Sequence, residues 1–308
     1  MVAASPPIPR WRLSKQERRN LLKGLLFISP WIIGFSIFLI YPIFYTLRIS
    51  FTDYSGFGTP EWIGLENYRH MFEDRRFWTA VYNTLYYTLL AVPIGVVVAI
   101  VLALAMNTDL PEVPIYRAII YLPSIIPLFT LAFTFQILMN PTQGVFNRFI
   151  MWFGLPNINW FGDPRYAKLA LVILAQYGAG QAALIFLAGL KGIPQQLYEA
   201  SKIDGAGTFR RFFTITVPML TPVILYDIIL GLSLGLQIFT QVYILSGDPP
   251  GGPANSTMMY VLYLYLNGFR YGEMGYAAAM AWVLFAVTSA LSILIFWSSK
   301  KWVNYDTI

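Results

Sequence analysis

The stretch that decides the fold reads Glu199-Ala200-Ser201-Lys202-Ile203-Asp204-Gly205 and, after nine more residues, Ile215-Thr216-Val217-Pro218. It lies between two apolar stretches: residues 169–190 carry no charge, and residues 219–245 carry only that of Asp227. A helix needs roughly 20 predominantly apolar residues to cross the hydrocarbon core of a bilayer. The quoted stretch is therefore predicted to be a loop at a membrane surface that joins two transmembrane helices.

The whole chain has the composition of a membrane protein. Hydrophobic residues make up 57% of it and charged residues 12%, about half the charged share of an ordinary soluble domain. Six apolar stretches have the length of a membrane span. We predict an all-α membrane protein with six transmembrane helices at about residues 25–47, 80–106, 118–139, 169–190, 219–245 and 275–298.

The distribution of Lys and Arg predicts the orientation, because cytoplasmic segments hold these residues in excess. With the N-terminus inside, most of the 21 Lys and Arg residues fall on inner segments. Both termini and the loop 191–218 are therefore predicted to be cytoplasmic. The net charge of +6 follows from this topology, so no nucleic-acid partner is expected.

The chain is expected to form one membrane domain with short tails. We assign residues 1–24 to a basic cytoplasmic tail that is disordered over about its first 20 residues, 25–300 to the six-helix domain, and 301–308 to a cytoplasmic C-terminal tail. The first apolar stretch is interpreted as a retained anchor rather than a cleaved signal. It has spanning length, contains Pro30 and Pro42, and is not followed by a small-residue cleavage site.

The quoted loop resembles the E-A-A-x3-G-x9-I-x-L-P loop, the EAA motif, of permease subunits in binding-protein-dependent ABC importers. It departs from that pattern by Ser201 in place of the second Ala and Val217 in place of Leu. Two further segments are similar to sugar-type permeases such as those for maltose, lactose and glycerol-phosphate. These are residues 62–68 and the Gly-Gly-Pro at 251–253, which here follows an additional Asp-Pro-Pro at 248–250.

The resemblance implies a type I ABC importer permease fold and a set of partners. It implies a second permease subunit, so that two chains form a heterodimer around one pathway, and an ATPase dimer at the cytoplasmic face. An extracellular or periplasmic solute-binding protein would deliver the sugar. The expected location is the inner membrane of a bacterial or archaeal cell, with the chain crossing the bilayer several times.

The resemblance also implies that the EAA loop is the site of coupling to the ATPase. Residues 195–202 have helical character, and Gly205 is expected to end that helix and let the chain turn. The alternative is an ordinary solvated loop, and Glu199 either pairs with cations of the ATPase or favours the first half of its own helix. The predicted coupling residues are Glu199, Ala200, Ser201, Asp204 and Gly205.

The sequence excludes several chemistries for the chain itself. It contains no Gly-x4-Gly-Lys-Ser/Thr, so ATP and Mg²⁺ are expected on the partner ATPase and no cofactor on this chain. One histidine, His70, and no cysteine make a metal site unexpected, and no catalytic residues are assigned. We expect His70 to be an exposed loop residue.

Polar side chains inside the spans are the candidates for a sugar pathway, because polar groups at membrane depth face a cavity or another helix. Ser233, Gln237 and Gln241 recur every four residues, which on one helix would form a polar stripe. The alternative for each residue is a structural hydrogen bond to a neighbouring helix. The predicted pathway residues are Ser124, Tyr177, Gly178, Gln181, Ser233, Gln237 and Gln241.

Asp227 is the one formal charge well inside a predicted span. On a helix it shares a face with Gly231 and Gly235, and such small-residue spacing is typical of close helix packing in membranes. We therefore favour a packing role, in which Asp227 bonds a partner helix, over a role as a gate or in coupling.

Two classes of transporter are compatible with a chain of six apolar spans. The first is the permease of an ATP-driven importer of an oligosaccharide, a disaccharide or a glycerol-phosphate. The second is an ion-coupled secondary carrier or channel. A carrier is expected to show paired charges in its spans or an internal repeat, and the sequence has one such acid and no evident repeat. The sequence favours the importer.

Overall fold

The computed structural model describes residues 14–247 and 249–304, and these are mostly helical. Residues 1–13, 248 and 305–308, which include about half of each predicted tail, lie outside the described residues. The α-helices are α1 (Lys15–Phe35), α2 (Tyr41–Ile49), α3 (Glu66–Glu73), α4 (Arg75–Met106), α5 (Val113–Ile125), α6 (Leu128–Leu138), α7 (Val145–Trp152), α8 (Pro164–Gln176), α9 (Gly180–Gly192), α10 (Gln195–Ile203), α11 (Thr208–Arg211), α12 (Val217–Leu236), α13 (Thr240–Leu245), α14 (Tyr260–Tyr265) and α15 (Met274–Ser299). The other elements are π-helical segments at Ser36–Ile40, Phe212–Thr216 and Leu266–Arg270, a 3-10 turn at Pro253–Asn255, and strands β1 (Thr52–Asp53) and β2 (Glu61–Trp62).

Within the described ranges, four helical stretches are long and apolar enough to cross a membrane: Lys15–Ile49, Arg75–Met106, Thr208–Leu236 and Met274–Ser299. Two bent pairs, α5 with α6 and α8 with α9, raise the number to six if each pair counts as one span. We number these six spans in chain order. The first span begins at Lys15 rather than near residue 25, because Ser14 caps it and accepts a hydrogen bond from the backbone N–H of Glu17.

The third span is not the continuous helix that was predicted for residues 118–139. It breaks between Ile125 and Leu128, and its halves lie at 100° to each other. Pro127 explains the break, since a proline has no backbone N–H and moves the preceding residue out of the helical region. Ile126 has the corresponding extended conformation, with φ −70° and ψ 127°.

The fourth span, predicted as one helix over 169–190, is also broken. The halves α8 and α9 meet at 48°, with Tyr177, Gly178 and Ala179 between them. At the start of α9, a Cβ on Gly180 would collide with the backbone carbonyl oxygen of Ile120 on α5. The glycine at this position therefore allows α5 to pack directly on the bend.

The fifth span, predicted as one helix over 219–245, ends at Leu236, and a separate helix, α13, begins at Thr240. Phe239 between them has φ −140° and ψ −62°, outside the helical region. No proline marks this break. The prediction of one continuous helix was wrong because its apolar pattern continues across the interruption.

The buried side chains form two cores at opposite ends of α4. Ala80, Tyr87 and Ala91 of α4 belong to a core with residues of α8, α13, α14 and α15, and we call it the loop-end core. Ala99 and Met106 of α4 belong to a second, motif-end core with α9 and the start of α12. The buried residues of α4 recur every three or four positions, so one face of this helix serves both cores.

The loop end is built from residues 50–74 and 249–273. Strands β1 and β2 pair antiparallel, with Thr52 opposite Trp62, and the side-chain amide of Asn67 donates to the backbone oxygens of Ser50 and Thr52 at 3.0 and 2.9 Å. The short helix α14, which was not predicted, is embedded in the loop-end core. At the periphery, α2 packs on α15, whereas α1 has no buried residue.

Candidate functional site

A cavity of about 590 Å³ lies between the two cores. Its wall includes Ala91 of the loop-end core and Ala182, which packs against the motif-end core. The wall also includes residues at all three helix breaks, because Leu128, Gly178 and Phe239 each lie in or beside a break. Its polar lining residues are Tyr87, Gln176, Gln181, Tyr226, Asp227, Gln237, Thr240 and Gln241.

Four of the predicted pathway residues lie on the cavity wall: Gly178, Gln181, Gln237 and Gln241. Gly178 and Gln181 come from the fourth span, and the two glutamines 237 and 241 flank the break in the fifth. Their side-chain amides offer both hydrogen-bond donors and acceptors. The fourth and fifth spans thus bring their predicted polar groups to one space.

The other three predicted pathway residues, Tyr177, Ser124 and Ser233, are not among the residues that line this cavity. The ring of Tyr177 packs edge-on against Phe135 with the centroids 5.5 Å apart. The hydroxyl of Ser124 is buried and has no hydrogen-bond partner among the described residues.

The polar stripe predicted for the fifth span does not exist as one helical face. Because α12 ends at Leu236, Ser233 lies on α12 and Gln241 lies on α13. Gln237 caps the end of α12, and its backbone N–H donates to the carbonyl oxygen of Leu234 at 3.2 Å. The turn between the two helices, rather than helical periodicity, places Gln237 and Gln241 on the same wall.

Gln176 is a cavity residue that the sequence reasoning missed. Its side-chain Nε2 donates to the backbone oxygens of Val172 and Ala91 at 3.0 and 3.3 Å, and its Oε1 is buried without a partner in the described chain. This oxygen lies 3.4 Å from the position that a Cβ on Gly95 would occupy. The signal was available, since Gln176 directly precedes Tyr177 in an otherwise apolar span.

Asp227 also lines the cavity. The two glycines on its face pack as predicted: a Cβ on Gly231 would lie 3.1 Å from Val92, and one on Gly235 would lie 2.9 Å from Thr88, both on α4. Asp227 itself does not bond a neighbouring helix. Its carboxylate has no hydrogen bond or ion pair with the residues that the structure describes.

The EAA loop forms α10 and a sharp turn. The helix ends at Ile203, and Gly205 adopts the left-handed conformation with φ +74°. The backbone N–H of Ala206 donates to Ser201 O at 2.9 Å, and that of Gly205 donates to Lys202 O at 3.1 Å. These two bonds form a Schellman motif, which favours glycine at the left-handed position. The predicted helix ending at Gly205 is confirmed.

One side of α10 is exposed and the other is attached to the protein. Of the predicted coupling residues, Glu199, Ala200, Asp204 and Gly205 are exposed. Ser201 is half-buried, and its hydroxyl donates to the backbone oxygen of Tyr198 at 2.8 Å, so it is committed to its own helix. On the attached side, Tyr198 packs against the motif-end core.

Two apolar side chains of this loop were not singled out from the sequence. Ile203 is 88% exposed and Phe209 is 77% exposed, and they flank the turn at Gly205. Large apolar side chains this exposed on a polar loop are typical of a protein–protein contact. They extend the candidate docking surface, which we define as α10, the turn and α11.

The loop end is held together by hydrogen bonds to Asn83. Its Nδ2 donates to the backbone oxygens of Asn255 and Met258 at 2.9 and 3.0 Å, and its Oδ1 accepts from Lys168 Nζ at 3.1 Å. The loop needs this support because Ala254 and Asn255 both have positive φ, 52° and 57°.

Asp74, which caps α4, anchors the same end. Its Oδ2 accepts hydrogen bonds from the hydroxyls of Tyr263, at 2.5 Å, and Tyr276, at 3.0 Å. Partial burial opposes ionisation of Asp74, but these bonds, with that from the backbone N–H of Arg76, outweigh it and hold the pKa of the carboxyl below its usual range. His70 is exposed, as predicted, but it lies on α3 rather than in a loop, with its ring 5.2 Å from that of Tyr276.

Comparison with known proteins agrees with this architecture. Residues 71–303 match the family described as binding-protein-dependent transport system inner membrane component. The chain is 38% identical over 297 residues to the probable ABC transporter permease protein YesP of Bacillus subtilis, with 96% of each chain covered.

Two further relatives carry the name of a cargo. The chain is 34% identical to the lactose transport system permease protein LacF of Rhizobium radiobacter, covering 94% of this chain and 97% of that protein. It is 32% identical to the trehalose/maltose transport system permease protein MalF of Thermococcus litoralis, covering 91% and 95%.

Among solved structures, the chain resembles a chain of a bacterial alginate ABC transporter in complex with an alginate pentasaccharide-bound periplasmic protein. The TM-score is 0.80 at 23% identity, covering 94% of this chain and 98% of that chain. This likeness establishes the type I ABC importer permease fold. The chain therefore belongs to the binding-protein-dependent transport system inner membrane components, the multi-pass permease subunits of ABC transporters, which are transport subunits and not enzymes.

Proposed function

We propose that this chain is the permease of a sugar importer and that its cavity forms half of the sugar pathway. Relatives named for lactose and for trehalose/maltose, each at least 32% identical over nine-tenths of the chain, support a disaccharide cargo among the oligosaccharide, disaccharide and glycerol-phosphate classes predicted from the sequence. A relative named for arabinooligosaccharides, at 31% identity, agrees with them.

The observation that carries the proposal is the chemistry of the cavity wall. Gln181, Gln237 and Gln241 present side-chain amides to one space, with the hydroxyl-bearing rings of Tyr87 and Tyr226 on the same wall. A sugar hydroxyl is both donor and acceptor, and so is an amide or a phenol. A concave site with a few convergent polar groups among apolar ones is the usual form of a small-molecule site.

The position of this space within the spans supports a path across the membrane. Broken helices are tolerated at membrane depth where their free backbone groups line a cavity. All three breaks of this chain contribute residues to the same wall. In the proposed heterodimer, the second permease subunit would supply the other half of this wall.

The proposed partners follow from the docking surface and the family. An ATPase dimer docks at α10, ATP and Mg²⁺ are bound by that dimer, and a solute-binding protein delivers the sugar at the loop end. The docking surface is then cytoplasmic, as are both termini. The contact surface includes the exposed residues Glu199, Ala200 and Gly205, two of which have little or no side chain. Its apolar anchors are Ile203 and Phe209.

An ion-coupled carrier or channel is not favoured. The chain belongs to a family of ABC transporter permeases, and in the described part of the spans only Asp227 lines the cavity as a charged group. Carriers of the ion-coupled kind use paired intramembrane charges or helix-end ion sites in repeated halves.

The experiment is reconstitution in vesicles of the chain with its second permease, ATPase dimer and binding protein, with each component omitted in turn. Uptake of radiolabelled lactose, maltose, trehalose, arabinotriose and glycerol 3-phosphate is measured with and without internal ATP. We expect uptake only in the complete assembly with ATP. Accumulation of sugar by vesicles that contain only this chain, driven by an ion gradient, would contradict the proposal and favour the ion-coupled carrier.

A further inference from the structure

Asp227 is the one charged side chain among the residues that line the cavity, so far as the structure describes the chain. It lies on α12, beside Tyr226 and one turn before Gly231. A charged side chain inside a span is energetically costly and is normally found against a partner or a water-filled space. Since no hydrogen bond or ion pair to Asp227 exists within the described ranges, the cavity is the feature that accommodates it.

The packing of α12 on α4 places Asp227 near Gly95 of the cavity wall. The two helices run antiparallel, with Gly235 against Thr88 and Gly231 against Val92. The same spacing places position 227 one turn further along α12, opposite Val96 and next to Gly95 on α4. Asp227 and Gly95 both line the cavity, so the carboxylate lies beside open space.

The rest of the wall cannot neutralise an anion. The other polar lining residues are amides and hydroxyls, such as Gln176, Gln181 and Tyr226, and the described lining contains no Lys, Arg or His. The two unpaired acceptors, the Asp227 carboxylate and Gln176 Oε1, instead require donors. An uncharged sugar brings several hydroxyl donors, and a carboxylate can accept from two neighbouring hydroxyls at once.

We propose that Asp227 selects the cargo by charge: its carboxylate accepts hydrogen bonds from hydroxyls of an uncharged sugar and excludes sugars that carry a carboxylate, sulfonate or phosphate. The inference rests on the proposed sugar pathway and narrows its substrate class. Like charges in a space of low dielectric repel strongly, so an acidic sugar meets an uncompensated anion on this wall. Glycerol-phosphate, one of the three cargo classes considered above, is thereby excluded.

The test compares neutral and acidic sugars of the same size in the complete reconstituted transporter. The probes are galactobiose with digalacturonate, maltose with maltose 6′-phosphate, and the best-transported neutral sugar with its counterpart oxidised to the uronate at C6. Uptake of each radiolabelled probe is measured in the parent chain, D227N, D227E and D227L. The matched control is D109N, which removes the charge of an exposed aspartate outside the spans.

We expect the parent chain and D227E to reject the acidic probes, and D227N to reduce the discrimination between each neutral and acidic pair by at least tenfold. D227L should also lower uptake of the neutral sugar, because it removes the carboxylate oxygens that accept hydrogen bonds. D109N should show the same uptake as the parent chain. All variants share one binding protein, so its own selectivity cancels from the comparison.

Equal uptake of the acidic and neutral probes by the parent chain would overturn the inference. A D227N transporter with the same ratio of neutral to acidic probe uptake as the parent chain would also overturn it, provided that co-purification of the ATPase shows that the variant assembles. If D227N does not assemble, D227L, which also lacks the charge, supplies the same comparison of neutral with acidic uptake. Uptake of no sugar by the complete parent assembly would instead contradict the proposed function.

Discussion

The hydroxyls of Tyr198 on α10 and Thr216 at the base of the fifth span are 2.9 Å apart and share a hydrogen bond. Thr216 is buried and directly precedes α12, which carries Asp227 and is capped by Gln237 on the cavity wall. The docking surface is therefore joined to the cavity wall by this hydrogen bond from α10 and by the continuous helical stretch Thr208–Leu236, which begins with α11. A displacement of α10 by a docked ATPase has a short mechanical route to the sugar pathway.

Breaking this bond should loosen the coupling between ATP hydrolysis and transport. Y198F or T216V removes one hydroxyl, and a bond of about 1 kcal/mol corresponds to roughly a fivefold effect on sugar carried per ATP. The two substitutions together should cost no more than one of them, giving a coupling energy of about 1 kcal/mol in a double-mutant cycle. Purely additive effects would show that the bond is incidental; T214A, whose exposed hydroxyl bonds only the backbone of its own helical segment outside the docking surface, is the control.

Valine at Gly205 should impair docking through backbone strain. Gly205 has φ +74°, and a Cβ there meets nothing within 4 Å, so the substitution introduces strain of about 1–3 kcal/mol without a clash. We expect loss of ATPase co-purification or of stimulated hydrolysis. Gly207 in the same loop has φ −65° and equally open surroundings, so G207V should retain docking. Equal behaviour of the two variants would mean that the turn conformation is not required.

The sequence predicted the positions of the spans and the end of α10, because both depend on local signals. A long apolar run and a glycine that ends a helix act within a few residues, and Gly205 lies at the predicted turn. The predictions failed where a span breaks. The break at Ile126 had a local signal in Pro127, whereas the break before Thr240 has none.

Part of the candidate site was predicted because a polar residue inside an apolar span is also a local signal. Gln181, Gln237 and Gln241 were selected for being polar inside apolar spans, and they line the cavity. Helical periodicity grouped Ser233 with two of them on one stripe, and that stripe is absent because α12 ends at Leu236. Asp227 was assigned to packing because it shares a face with two glycines, and only the folded structure reveals that a cavity lies beside it.

Removing the side chain of Asn83 should destabilise the loop end. N83A leaves the carbonyl oxygens of Asn255 and Met258 and the amine of Lys168 without their partner, a loss of about 2–4 kcal/mol in the free energy of unfolding. Thermal unfolding in detergent measures it. The control is T79A one turn earlier on α4, where an exposed hydroxyl bonds only the helix backbone and the expected change is small. Similar midpoints for N83A and T79A would contradict the assignment.

The stability of the loop end should fall in acid through Asp74. Its pKa is lower in the folded protein than in the unfolded chain, so its stabilising contribution is present above the usual carboxyl pKa of about 3.9 and is lost as the pH falls through the folded value. D74N should unfold at lower temperature than the parent chain at neutral pH, and the difference should shrink in acid. Melting curves of both proteins from neutral pH to below the usual carboxyl range measure this. A constant difference would show that Asp74 is not the group responsible.

The central claim is that sugar passes through the cavity between the two cores, and the absence of cysteine from the sequence allows a direct measurement. A single cysteine is introduced by Q237C on the wall, or by Y177C beside the bend but off the wall, and each complete transporter is treated with a charged thiol reagent. We predict that labelling of Q237C abolishes uptake and that saturating sugar slows the labelling at least tenfold, whereas Y177C is not protected and the unsubstituted chain is unaffected. Full uptake after complete labelling of Q237C, or labelling that sugar does not slow, would contradict the account.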